Sequence, residues 1–145
     1  MLPNKPDGET DVVVHMKEIG NKEYKNITKD TLIGTTGQNR RLEAIRLTGH
    51  ALRLEAIRIN PYGKTIKAKV HIQSKGWVDY GMITKDTIIG TVGEKKRIEC
   101  LCFEGDFEYR VHIQSSGWTD WTKADGVATL GTVGQELRIE AIQFR

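Results

Sequence analysis

The sequence has no apolar run near the roughly 18 residues that a membrane-spanning helix requires, and no secretory leader. It therefore predicts no membrane span. Charge of one sign is nowhere concentrated: 22 Lys and Arg are interspersed with 19 Asp and Glu, for a net +3. A nucleic-acid footprint would gather its basic residues on one stretch or face, so no nucleic-acid partner is expected. There are only two cysteines, Cys100 and Cys102. Two residues apart on a strand, they share a face but lack the geometry of a disulfide, and no second Cys/His pair stands at a zinc spacing. The expectation is buried or half-buried thiols, no metal and no cofactor, with the redox compartment left open.

At 145 residues the natural prior is one domain with a sizeable core. Residues 1–10 read as a linker-like leader, because Leu2-Pro3-Asn4-Lys5-Pro6-Asp7-Gly8 is a Pro/Gly/Asp string. Such a start suggests a domain cut from a longer or exported parent.

What the chain does contain is a repeat. Val70-His71-Ile72-Gln73-Ser74-Lys75-Gly76-Trp77-Val78-Asp79-Tyr80 returns as Val111-His112-Ile113-Gln114-Ser115-Ser116-Gly117-Trp118-Thr119-Asp120-Trp121, an offset of 41. At the same offset Gly90-Thr91-Val92-Gly93 matches Gly131-Thr132-Val133-Gly134, and Arg97-Ile98-Glu99-Cys100 matches Arg138-Ile139-Glu140-Ala141. A worn copy lies 56 residues upstream: Val14-His15-Met16, Gly20, Ile27 to Thr35, and Arg41-Leu42-Glu43-Ala44, with Asn21 in the place of the tryptophan. Arg41 to Leu47 is echoed by Arg53 to Ile59 across Thr48-Gly49-His50, which reads as an added hairpin. The predicted organisation is three repeats (11–48, 66–104 and 105–145) with an inserted hairpin at 49–65.

Each repeat reads as β structure. Residues 66–73 alternate and end in a turn, and the segment around Arg-Ile-Glu-Ala-Ile supplies a closing strand. A unit of about 40 residues does not bury an apolar face alone, whereas three closed about a pseudo-threefold axis do. The expected fold is all-β, a single closed domain that is β-prism-like, with a β-trefoil as the alternative.

With Ser74, Lys75 and Gly76 as the hairpin loop, Gln73 faces Trp77, Ile72 faces Val78, His71 faces Asp79 and Val70 faces Tyr80. The third copy pairs Gln114 with Trp118, Ile113 with Thr119, His112 with Asp120 and Val111 with Trp121. One face is then core, and the other gathers His71, Gln73, Trp77 and Asp79, repeated as His112, Gln114, Trp118 and Asp120. An aromatic plate beside an acid, an imidazole and an amide suits a sugar, whose CH face stacks while its hydroxyls take fixed hydrogen bonds. The assignment is conditional on the turn, since a one-residue shift is expected to reverse it. Against it stand a core role for Trp77 and Trp118 and a structural His–Asp bond. Tyr24, Tyr80 and Trp121 share one slot, which favours packing. In the first copy His15 is expected opposite Glu23 and Lys17 opposite Asn21; without the aromatic plate it is not expected to be a site.

No catalysis is expected. Ser74 and Ser115 sit in turns with nothing to form an oxyanion hole, and no second carboxylate is placed for glycoside hydrolysis. Arg97/Glu99 and Arg138/Glu140 read as a solvated or inter-repeat ion-pair ladder of small energetic value.

The elements His-Ile-Gln-x-x-Gly-Trp, Gly-Thr-x-Gly and Arg-Ile-Glu-Ala-Ile resemble the ChW repeat, a clostridial hydrophobic repeat with a tryptophan. The resemblance covers residues 11–145 as three copies, and the first departs from it at Lys17 and Asn21. Such repeats occur in secreted and surface proteins of Gram-positive anaerobes, often beside cell-wall hydrolases or adhesive domains. The resemblance implies an extracellular or cell-surface binding module. Together with the Trp-centred face, it leads to the expectation of a non-catalytic module for cell-wall or other glycans, such as the targeting domain of a lysin. The alternative is a protein-interaction or assembly domain of a surface protein.

Overall fold

The structure, a computed structural model, describes residues 10–17, 19–36 and 53–145. The leader up to Thr10, Arg41-Leu42-Glu43-Ala44 and residues 49–52 of the expected hairpin lie outside the described residues. The described chain is all β, without a helix. Its strands are β1 (Thr10–Met16), β2 (Gly20–Lys25), β3 (Ile33–Gly34), β4 (Leu54–Ile59), β5 (Lys67–Ile72) and β6 (Gly76–Met82). There follow β7 (Ile89–Gly90), β8 (Ile98–Ile113), β9 (Gly117–Trp118), β10 (Thr122–Asp125), β11 (Leu130–Gly131) and β12 (Ile139–Phe144).

They form two antiparallel sheets, β2-β1-β4-β7 and β3-β12-β8-β5-β6, with β9, β10 and β11 also on β8. Alternation drives this layout. In β5, Ala68, Val70 and Ile72 are buried while Lys67 is exposed and Lys69 and His71 are half-buried. The inward residues of both sheets meet in one core that includes Val12, Val14, Ile57, Val70, Leu101 and Ile142. Phe103, Phe107, Tyr109 and Phe144 form an aromatic knot within it, with the Phe103 and Tyr109 rings 5.0 Å apart at 65°. Tyr109 Oη lies within hydrogen-bonding distance of the Phe103 amide, and burial pushes its phenol well above the ordinary range.

Each hairpin is followed, after a loop, by a closing strand: β4 lies on β1, the first half of β8 on β5, and β12 on the second half of β8. The strand on β1 is the echo Leu54–Ile59. Three of the two-residue strands, β3, β7 and β11, join units to one another. β3 pairs with β12, β11 with β8 and β7 with β4, so each unit contributes one short strand to another unit's closing strand. At these crossings the chains approach closely. Gly34, Gly90 and Gly131 hold φ of 104°, 106° and 126°. A Cβ on Gly90 would stand 2.3 Å from the Glu55 carbonyl oxygen.

The hairpin register differs from the expected one. Val70 opposes Val78, His71 opposes Trp77, Ile72 opposes Gly76, and Asp79 stands across from Lys69. The turn is Gln73-Ser74-Lys75: the Lys75 N–H donates to the Ile72 carbonyl at 3.0 Å, and Ser74 takes a left-handed φ of 67°. Gly76 is left-handed as well (φ 79°), but it opens β6 rather than closing the loop. The third unit repeats this, with His112 opposite Trp118 and Ile113 opposite Gly117. The expected pairs Gln73–Trp77, His71–Asp79, Gln114–Trp118 and His112–Asp120 are therefore replaced. The faces are not reversed, however. Moving a turn's centre by one residue changes each cross-strand partner by two, which keeps the side-chain parity. In the first unit His15 opposes Asn21, not Glu23, for the same reason.

The shared aromatic slot divides. Tyr24 and Tyr80 pack on the core and accept the N–H of Gly34 and Gly90 through their hydroxyls, at 3.1 and 3.0 Å. Trp121 cannot do so, since an indole is a donor only. It lies instead between the guanidiniums of Arg110 and Arg145, 4.8 and 4.5 Å from its ring centre.

The glycine crossings yield a stability test. Gly90→Ala combines a left-handed backbone with a collision against main chain and is expected to cost about 3 kcal/mol or more in urea denaturation. Gly93→Ala, also left-handed (φ 83°) but with nothing within 4 Å of the new Cβ, is expected to cost about 1 kcal/mol.

Candidate functional site

One small irregularity recurs at each closing strand. His15 and Met16 oppose Ala56 and Leu54; His71 and Ile72 oppose Cys100 and Ile98; His112 and Ile113 oppose Ala141 and Ile139. In each case one residue of the closing strand is left over: Glu55, Glu99 or Glu140. A β-bulge of this kind re-aims the extra residue. Here it turns the glutamate carboxylate onto the histidine-bearing face, and it leaves the glutamate carbonyl free to accept a neighbouring unit's N–H. That N–H belongs to Thr91, Thr132 and Thr35 respectively, at 2.9, 3.0 and 3.0 Å.

The carboxylates are 3–5 % exposed. Each bridges two cations or donors. Glu99 Oε1 meets His71 Nδ1 at 2.9 Å and its Oε2 accepts Arg97 Nε–H at 2.8 Å. Glu140 meets His112 at 3.0 Å and Arg138 at 2.8 Å in the same way. In the first unit Arg53 Nε donates to Glu55, and His15 Nε2 lies 3.5 Å from Glu55 while its Nδ1 is 2.9 Å from Asn21 Oδ1. The Arg/Glu pairs expected as a solvated or inter-repeat ladder are thus bridges within one unit, with the carboxylate buried and the arginine half-buried, because the bulge carries the carboxylate out of the strand's ordinary alternation.

The tryptophans stand on this platform. The Trp77 ring meets the His71 ring edge-on, 5.5 Å between centres at 80°, and remains 43 % exposed. Trp118 meets His112 at 5.3 Å and 79°. Neither belongs to the core cluster. They differ in cover: Lys69 Nζ lies 6.0 Å from the Trp77 ring centre, whereas Arg110 lies 4.8 Å from Trp118 and is shared with Trp121. Arg110 is held in turn by Gln143, through Nε to Oε1 at 2.7 Å.

Of the remaining expected site residues, Gln73 and Gln114 lie at the turn with their Oε1 accepting the Arg97 and Arg138 N–H, each at 3.2 Å. Their backbone N–H groups donate back to the Arg97 and Arg138 carbonyls, so each glutamine clamps hairpin to closing strand. Asp79 accepts the Gly81 N–H at 2.9 Å and is not brought to His71. Asp120 is exposed on the irregular stretch before β10, and its carbonyl accepts from Thr119 and Thr122. The geometry brings together His, Trp, Glu and Arg. Reading the sequence alone missed the glutamate, although a His-to-Glu separation of 28 in two copies signalled it.

Among the described residues no group of three or more His, Cys, Asp or Glu is placed to hold a metal ion. Cys100 and Cys102 are free and buried, and desolvation raises both thiols above their ordinary 9.0. Ser74 and Ser115 lie in the turns, each with a left-handed φ.

Residues 112–145 match the family model Clostridial hydrophobic W, ChW. The matched stretch holds the whole third cluster, from His112 and Trp118 to Arg138 and Glu140. No curated protein matches the chain, and no solved structure does.

Two measurements check this geometry. Glu99→Ala strands a histidine and an arginine that share a buried carboxylate and is expected to cost about 2–3 kcal/mol. Glu94→Ala removes only surface contacts, to Lys75 at 3.4 Å and Lys96 at 3.9 Å, and is expected to change stability by about 0.5 kcal/mol or less. Thiol labelling gives the second. A raised thiol pKa leaves little thiolate at or below the ordinary value, so the folded protein is expected to label far more slowly than the urea-unfolded chain at pH 8. The folded rate should climb only above pH 9.0.

Proposed function

We propose that the chain is a non-catalytic module that binds cell-wall or other glycans at the cell surface, through the Trp77 and Trp118 faces. The observation that carries this reading is the exposed indole of Trp77, propped by the edge of His71, whose own position is fixed by the buried Glu99. A rigid aromatic plate with fixed polar neighbours offers stacking to a sugar's CH face at little cost in side-chain entropy. His71 and Lys69 surround the Trp77 plate; Asp79 lies across from Lys69 at its margin. Trp118 is a narrower plate, since Arg110 occupies one side of it. The ChW match adds a repeat-type module as the class of protein, and surface attachment or lysin targeting follows as part of the proposal. In the same reading the three units form one pseudo-threefold, prism-like closed scaffold, supported by the exchange of β3, β7 and β11 among the closing strands.

A second reading, a protein-docking surface, is favoured by exposed aliphatic side chains: Met82 at 65 %, Val127 at 80 % and Val92 and Val133 at 51 %.

A cell-wall pull-down and a glycan array decide between them. Wild-type protein is expected to bind, and Trp77→Ala/Trp118→Ala is expected to lose at least about tenfold in affinity, with the melting temperature changed by only a few degrees. Collapse of folding in the double variant would assign the tryptophans to stability instead. A blank array with a dimer or partner complex in light scattering would support the docking surface.

A further inference from the structure

We infer that the first unit carries a separate binding site for an anionic ligand, one bearing a carboxylate or a phosphate, in the recess beside its β1–β2 turn. The site uses neither Trp77 nor Trp118 and goes beyond the glycan reading.

Of the two positions at which the first unit departs from the repeat, Lys17 lines this recess. Asn21 takes the tryptophan's place and turns its amide onto His15. Lys17 takes the place of the glutamine that elsewhere clamps the closing strand, so the first unit presents an ammonium where the others present a committed amide. Between the β1–β2 turn and the loop after β7 lies a cavity of about 760 Å³, lined by His15, Lys17, Ile19, Arg53, Glu55 and Lys95 among others. Its size lies within the range of small-molecule sites.

The charge on its walls is unequal. Among the described residues that line it, Lys17, Arg53 and Lys95 face one acid, Glu55, whose two oxygens are already engaged by Arg53 and His15. Among the described residues neither Lys17 nor Lys95 has an ion-pair partner, whereas Lys75 and Lys96 both meet Glu94. The loop position of Lys95 is also informative. The loop after β11, which pairs with β8 beside the second unit, has Glu136 at the matching place. The two residues share the same left-handed backbone, φ 56° and 58°. One scaffold position thus carries a cation over the first unit and an anion over the second. Cations converging on a recess with a neutralised carboxylate at its floor favour an anion, by charge-assisted hydrogen bonds from the two ammonium groups and the guanidinium.

The test is an NMR titration of the full chain at low salt with two probes, inorganic phosphate and D-glucuronate. At least one probe is expected to bind and to shift the amide signals of Lys17, Asn21 and Gly93; the tighter one assigns phosphate or carboxylate as the preferred group. Lys17→Gln/Lys95→Glu, which changes two exposed side chains, is expected to weaken that binding at least about tenfold. Trp77→Ala/Trp118→Ala is expected to leave it unchanged, which separates this site from the glycan faces. Absence of shifts with both probes at millimolar concentration would overturn the proposal. So would equal affinity in Lys17→Gln/Lys95→Glu.

Discussion

The bulged glutamate is the point on which the rest depends. Its backbone and its side chain do two unrelated things at once. The carbonyl of Glu55, Glu99 or Glu140 receives a threonine N–H from another unit, and the carboxylate, a few ångströms away, binds the histidine and arginine of its own. Without the extra residue the carboxylate would follow the strand's alternation and these two roles would come apart. The bulge therefore couples assembly of the units to construction of the surface above them.

The energetics are those of a buried charge that is paired rather than of a surface salt bridge. A carboxylate 3–5 % exposed would be strongly penalised alone. Two partners on its two oxygens offset that penalty, and they also fix the histidine ring that supports each tryptophan. Stability and site geometry thus share the same atoms. A substitution at Glu99 is read out both in folding and in the pose of Trp77, which is why a binding defect there is interpretable only beside a stability measurement.

Much of this was legible in the sequence. The all-β class followed from alternation and from the repeat, and the outward placement of His71 and Trp77 followed from parity. The exact pairing did not, because Ser74 occupies a left-handed position usually left to glycine and so moves the turn by one residue. Pattern reading assigns such positions by residue type, and a serine carries no such mark. The bulge was equally hidden: Arg-Ile-Glu-Ala-Ile reads as regular alternation, and only the partner strand reveals that the glutamate is unopposed. The split of the Tyr24/Tyr80/Trp121 slot arose because shape is shared among the three rings while the ability to accept a hydrogen bond is not.

The strand Ile98–Ile113 runs unbroken through the second and third units. It carries Cys100 opposite His71 at one end and His112 itself near the other. Twelve residues separate these points, and the strand bends sharply between them, since Tyr109 Oη reaches the Leu101 carbonyl at 3.4 Å; the separation is well short of the roughly 40 Å of extended chain. The two tryptophan faces are therefore carried by one continuous strand, bent around its own aromatic residues. In the proposed glycan reading, a ligand long enough to reach both would meet the second at a high effective concentration. One whose repeat does not fit the spacing gains nothing from the pair. Length and periodicity of the partner become selectable properties, set by a backbone rather than by any contact residue.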